Sequence, residues 1–258
     1  MVRALYTAYT GMINEQYRMD IITNNMANAD TCGYKQEGVT NQSFDSMLAI
    51  KIHDESECYN DRPIGDISLG VKMGEVYTDF SPGSIRETGN TYDLAIAGDG
   101  FFSMRVTDKN GNDSIKYTRA GELQITSDGY IVDADGNHLQ GDSGDIQIST
   151  DSTRVVINEA GEIYEDGALT GQVALTDFED YNYLSKFGNT MYTAVEGATQ
   201  KEATGGIQQG WTEESTVNIV SEMVHLINIT RAYETNQKMI SNVDRMIDKA
   251  VNEVGRVS

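Results

Sequence analysis

The side chains in this sequence best suited to binding a metal or moving a proton are three histidines, two cysteines and several acidic clusters. His53, His138 and His225 sit in three separate contexts, none with a partner at metal-ligand or triad spacing. Cys32 and Cys58 form no CxxC pair, and two thiols are too few for a disulfide framework, so both read as unpaired. Asp133-Ala134-Asp135-Gly136-Asn137 opens like a calcium loop. Such a loop needs a glycine at its sixth position and a bidentate acid at its twelfth. His138 and Gly144 stand there instead, so the segment reads as a hairpin turn. Gly98-Asp99-Gly100 lacks the third glycine of a nucleotide loop, and a strand pattern follows it rather than a helix. Glu179-Asp180 could do acid–base work only inside a cleft; a solvated acidic surface is the simpler reading. These patterns predict no catalytic residue, no metal site, no cofactor and no small-molecule substrate.

Two helices frame the chain. From Val217 to Val254 there is no glycine and no proline, and Gly210 and Gly255 bracket the run. Bulky residues recur at threes and fours through Met223, Leu226, Thr230, Tyr233, Gln237, Ile240, Val243, Ile247, Ala250 and Val254, a seam near the coiled-coil period. Ser215 or Asn218 can cap its start, and Glu222 suits the positive end of the helix dipole. At the other end of the sequence, Leu5, Met12, Met19 and Met26 fall seven apart, with Ala8 or Tyr9, Gln16, and Ile22 or Thr23 between them. That predicts a second, narrower helix, weakened by Gly11 and ending near Asn24, Asn25 and Asn28, with Gly33 as its stop.

Between the helices the pattern changes to short alternating runs. Twenty-two of the 25 glycines and both prolines, Pro63 and Pro82, lie in residues 36–214. Asn110-Gly111, Asp128-Gly129 and Asp135-Gly136 carry hairpin chemistry, because both turn positions tolerate positive φ. Strand-like runs cover 92–97, 101–106, 115–119, 123–126, 130–132, 154–158, 162–164 and 172–178. The expected fold class is α+β: long N- and C-terminal helices pairing into a coiled-coil-like inner domain, with an all-β domain inserted between them. The expected boundaries are 1–35 for the first helix, 36–70 for an extended linker, 71–214 for the β domain and 215–258 for the second helix.

Charge follows the same division. Residues 1–35 hold three basic and three acidic side chains, and residues 215–258 hold five of each, so the middle carries the whole net charge of −21. An acidic chain is a poor partner for nucleic acid. Neutral ends tolerate close packing of many copies, while an acidic middle stays solvated. The C-terminal helix has more apolar surface than one short partner covers, which points to other copies of the chain. The competing reading is a monomeric binding or hydrolytic protein with its site hidden in the β domain. No run is apolar enough to span a membrane, and the start lacks the apolar core of a secretory signal, which by itself suggests a cytoplasmic protein.

Several segments resemble one family. Asn24-Asn25-Met26-Ala27-Asn28-Ala29-Asp30-Thr31-Cys32-Gly33-Tyr34-Lys35 is similar to the N-terminal signature of the bacterial flagellar rod and hook proteins. Ser215-Thr216-Val217-Asn218-Ile219-Val220, then Glu222-Met223 and Arg231-Ala232-Tyr233-Glu234-Thr235-Asn236, is similar to its C-terminal signature. Asp93 to Phe102 and Tyr117-Thr118-Arg119-Ala120-Gly121 resemble its β-domain motifs. The length and single β domain look like the rod members, distal or proximal, more than the longer hook member. The resemblance implies a structural axial component of the basal-body rod that self-assembles into a helical tube and transmits torque to the hook. It implies contact with neighbouring rod and hook proteins, and export across the cytoplasmic membrane by the flagellar type III apparatus without a cleaved signal. That implication displaces the cytoplasmic reading. The expected assembly interface is Leu5, Tyr9, Met12, Met19, Asn24, Asn25, Met26, Asn28, Thr31, Gly33, Tyr34, Lys35, Val217, Asn218, Met223, Ile227, Arg231, Ala232, Tyr233, Glu234, Asn236, Ile240, Val243 and Ile247.

Overall fold

The computed structural model describes residues 2–50, 63–107, 109, 111–150, 152 and 154–254. His53, Cys58, Asn110 and Gly255 lie outside the described residues. The chain is α+β, with a helix at each end and a β-rich region between them. It divides into two compact units: residues 1–26, 37–78 and 219–258 form the first, and residues 27–36 and 79–218 the second.

The first unit holds helices α1 (Val2–Ala27) and α2 (Ile219–Lys249), with a π turn over Ala250–Val254. Helix α2 has Glu222 in its first turn and Lys249 in its last, both favourable to the macrodipole, whereas α1 has neither. The unit also contains β structure. Strand Glu37–Ser43 pairs antiparallel with Val71–Thr78, and Met47–Ile50 pairs with Pro63–Ile67. A two-stranded ribbon is marginal by itself in water. Here α1 supports it. Asn14 Nδ2 donates to Asn41 Oδ1 at 3.1 Å, Asn25 Nδ2 donates to the Glu37 carbonyl at 2.8 Å, and the Glu37 amide returns a bond to Asn25 Oδ1 at 3.1 Å.

The second unit is built around strand Phe101–Thr107, which pairs with Asp113–Thr118 along its length and with His138–Gly141 and Leu175–Phe178 over shorter spans. Successive side chains of a strand point to opposite faces. Phe102 and Met104 therefore enter the main core with Leu94, Leu139 and Ile163. Phe101 enters a separate aromatic cluster with Tyr117, Phe178 and Tyr192, and Phe80 packs edge-on against it. Burying each such ring contributes roughly 1.5–3 kcal/mol. Gly129 and Gly136 turn at φ 84, as the Asp-Gly pairs predict. The run 172–178, expected as one strand, is two: Ala168–Gln172 and Leu175–Phe178. The break follows from a change of partner. Ala168–Gln172 belongs to the small sheet with Glu162–Glu165, while Leu175–Phe178 joins Phe101–Thr107.

Candidate assembly surface

Within the first unit α1 meets α2 at Gly11, where a Cβ would lie 3.0 Å from Asn236 Nδ2. The glycine that weakens α1 as a helix former is the residue that lets α2 come near. Along α2 a covered stripe runs 222, 226, 229, 233, 236, 240, 243, 247 and 250, flanked by the half-buried Thr230 and Ala232. That is an unbroken alternation of four and three, the spacing of a coiled-coil stripe. Ile229 and Val243 are 3% exposed, while Leu226, Tyr233, Asn236, Ile240 and Ile247 are half-buried. The seam read from the sequence changed phase between Ile240 and Val243. Val243, Ile247 and Ala250 of its C-terminal half coincide with the covered stripe; in its N-terminal half, Met223 and Gln237 are exposed, and Ile229 and Asn236 are covered. Thr230 turns its hydroxyl back to the Leu226 carbonyl at 2.8 Å.

A second apolar surface is uncovered. On α2, Val220 is 72% exposed, and Met223, Val224 and Ile227 are each about half exposed. On α1, Tyr6, Tyr9 and Tyr17 are exposed to similar degrees. Leu5, Met12, Met19 and Met26 are half-buried, Asn25 is buried, and Asn24 is exposed. Arg231 and Glu234 are exposed, with Ala232 half-buried between them and Asn218 exposed before the first turn.

The remaining expected residues gather inside the second unit. Gly33, Tyr34 and Lys35 are buried, with Val217 nearby in the chain's return. Lys35 Nζ donates to Glu213 Oε1 at 2.6 Å and to the Ser81 carbonyl at 2.7 Å. Arg119 Nη1 donates to the other Glu213 oxygen at 3.3 Å, with its guanidinium 5.3 Å over the Phe101 ring. The Gly83 amide also donates to Glu213 Oε1, at 2.7 Å. Burial pulls the Lys35 ammonium below its usual range, and the Glu213 carboxylate acts against that. Gly33, at φ 66, donates its amide to the Glu213 carbonyl, and a Cβ there would lie 2.3 Å from the Ala120 nitrogen. Thr216 and Tyr34 are joined by a 3.1 Å backbone hydrogen bond. Thr31 donates its hydroxyl to Asn28 Oδ1 at 3.3 Å. Segments that lie far apart in the sequence thus meet around one carboxylate. Glu213 was not singled out from the sequence, because a glutamate in a short acidic run looks like any solvated one. Arg119 had a signal, since it stands in the Tyr117–Gly121 motif.

The chemical candidates find structural explanations. Asp133 Oδ1 accepts the Asp135 and Asn137 amides at 2.7 and 3.3 Å, so it closes its own turn. His138 Nδ1 lies 3.5 Å from Asp145, whose carboxylate is also held by Arg105 and Gln140. That ion-paired carboxylate is part of a strand-to-strand link. Cys32 is buried, desolvation pushes its thiol pKa up, and it lines an open cleft of about 520 Å³ with Glu122, Asp133 and Asp135. Among the described residues no group of three or more His, Cys, Asp or Glu side chains could hold a metal ion, and no helix is long and apolar enough to cross a membrane.

Three family profiles match the chain in order. Residues 5–35 match the flagella basal body rod protein family, 95–165 the flagellar hook protein FlgE/F/G D1 domain, and 208–253 the flagellar basal body rod FlgEFG protein C-terminal family. The chain is similar to the flagellar basal-body rod protein FlgG of Bacillus subtilis (strain 168), 32% identical over 98% of this chain and 99% of the relative. It is also similar to the flagellar hook-basal body complex protein FlhO of the same organism, 28% identical over the full length of both. With the flagellar basal-body rod protein FlgG of Caulobacter vibrioides it shares 33% identity over 95% of this chain and 97% of the relative.

Proposed function

Because the chain belongs to the bacterial flagellar rod and hook protein family and is a structural axial component of the basal-body rod rather than an enzyme, we propose that it self-assembles into a helical tube that transmits torque to the hook. The observation that carries this reading is the apolar surface of the two terminal helices. Helix α2 has one stripe covered within the chain and leaves Val220, Met223, Val224 and Ile227 to water. An exposed apolar cluster on an otherwise acidic, well-solvated chain fits a contact with another molecule. In the tube, α1 and α2 form a coiled-coil-like inner layer, with the predicted interface residues of both helices facing neighbouring copies or their own partner helix. The motif residues around Glu213 hold residues 33–35 against the strand Trp211–Glu213 within the second unit. Family membership further supports export through the flagellar type III apparatus and end contacts with neighbouring rod and hook proteins.

Electron microscopy of the concentrated full chain, paired with sedimentation velocity, tests this. Tubes or open-ended polymers are expected. A chain that stays monomeric at millimolar concentration overturns the reading.

A further inference from the structure

Residues 27–36 belong to the second unit, yet the stretch that follows them, 37–78, belongs to the first, and the rest of the second unit begins at Asp79. The short segment is therefore an inserted piece, held by residues far along the sequence. Four of its backbone groups are engaged. The Gly33 amide donates to the Glu213 carbonyl at 2.8 Å, the Thr216 amide donates to the Tyr34 carbonyl at 3.1 Å, and the Asp79 amide donates to the Gln36 carbonyl at 2.9 Å. The Gln36 amide donates to Thr216 Oγ1 at 2.9 Å. Main-chain bonds of this kind give a bound peptide its affinity and leave selectivity to its side chains.

Each of three successive residues meets a feature that suits one residue type. Gly33 has φ 66, and a Cβ there would lie 2.3 Å from the Ala120 nitrogen, so glycine is required. Tyr34 is fully buried; Lys186 Nζ lies 4.5 Å from its ring centroid and donates to its hydroxyl at 3.4 Å. Lys35 Nζ reaches both Glu213 Oε1 and the Ser81 carbonyl. Glycine, tyrosine and lysine are thus selected in order, by groups that lie within residues 79–216. None of these contacts needs the covalent link through residues 37–78. The same segment of another molecule presents the same groups, and exchange of an identical element is a low-cost route to association.

We propose that the second unit holds a peptide-binding slot selective for a Gly-Tyr-Lys segment, filled in cis by residues 33–35 and open to the same segment of a second copy once the cis segment is displaced. A tethered segment competes at an effective concentration of roughly millimolar. An outside segment therefore enters where copies are dense or where the resident one is weakened. The slot does not rest on the tube reading, since every group in it belongs to one unit of one chain.

A fluorescent peptide spanning residues 28–37 and carrying Cys32→Ser tests the slot. It is titrated against the full chain bearing Tyr34→Ala, which weakens the resident segment, and followed by fluorescence anisotropy. Saturable binding is expected, about tenfold or more weaker for the wild-type chain and for peptides that also carry Gly33→Ala or Lys35→Met. If Tyr34→Ala melts the unit, added peptide is expected to restore the folded Trp211 emission. Absence of both binding and restoration overturns the slot, and so does equal binding of the Gly33→Ala peptide or by the wild-type chain. For exchange, the Tyr34→Ala chain is mixed with a Glu213→Gln chain, whose segment is intact and whose slot lacks its carboxylate. Sedimentation velocity is expected to show a mixed dimer beyond what either chain forms alone. Peptide binding without that dimer overturns the second copy as occupant.

Discussion

Lys35 Nζ lies 2.6 Å from Glu213 Oε1, and both side chains are 1% exposed. The residues are 178 positions apart in the sequence. A buried ion pair carries a large desolvation cost, repaid only when the remaining donors and acceptors are met. Glu213 meets that condition, because Arg119, Lys35 and the Gly83 amide share its two oxygens. The pair acts as a fastening between the N-terminal motif and the strand Trp211–Glu213 that leads towards α2.

Removing Lys35 leaves the buried Glu213 carboxylate with one cation, Arg119, where it had two. Lys35→Met is expected to destabilise the second unit by about 3–5 kcal/mol, the usual cost of breaking a buried pair. Urea unfolding of the full chain followed by Trp211 fluorescence measures it. A change below about 1 kcal/mol would show the pair to be incidental.

Gly11→Leu is expected to drive α1 away from α2, since even a Cβ meets the Asn236 amide at 3.0 Å. Asn236→Ala in the same chain should recover most of the loss by clearing the obstacle. Gly11→Ala in that background should exceed the wild type, because alanine is favoured over glycine in a helix by about 1 kcal/mol. Thermal melts followed by circular dichroism at the helix band report all three.

Met223→Asp and Ile240→Asp should separate two roles along α2. Met223 is 51% exposed, so a charge there should abolish polymer while the monomer's melting curve is unchanged. Ile240 lies in the covered stripe, so its replacement should lower helix stability in the monomer as well. Sedimentation together with circular dichroism distinguishes them; normal polymer from Met223→Asp would remove that residue from the interface.

Alkaline pH should loosen the second unit through Tyr181. Burial, and then the hydrogen bond its hydroxyl donates to Asp177 Oδ1 at 2.9 Å, push its pKa from 10 to about 12. The folded chain therefore holds this proton more tightly than the unfolded chain. The contribution is fully present below pH 10 and is lost as pH rises through about 12. Tyr181→Phe should flatten the fall in stability across that window, as read from urea midpoints at successive pH values.

The framing helices, the inserted β structure and most strands were legible from spacing and turn chemistry. The heptad of Leu5, Met12, Met19 and Met26 and the turns at Gly129 and Gly136 are local signals, readable within a few residues. The phase of the α2 stripe was harder. Met223 is as apolar as Ile229, and only the partner decides which of them is covered. The Glu37–Ser43 and Val71–Thr78 ribbon was invisible for a related reason: its support comes from Asn14 and Asn25, polar residues that read as poor helix formers. Glu213 had no local pattern, because its two cations arrive from distant segments.

The span between Lys35 and Glu213 sets a schedule. Synthesis proceeds from the amino end, so the lysine is made 178 residues before the carboxylate that pairs with it. Closing so long a loop is entropically slow to reward. Any truncated product ending before position 213 lacks the clasp altogether, because Lys35 then has no Glu213 to meet.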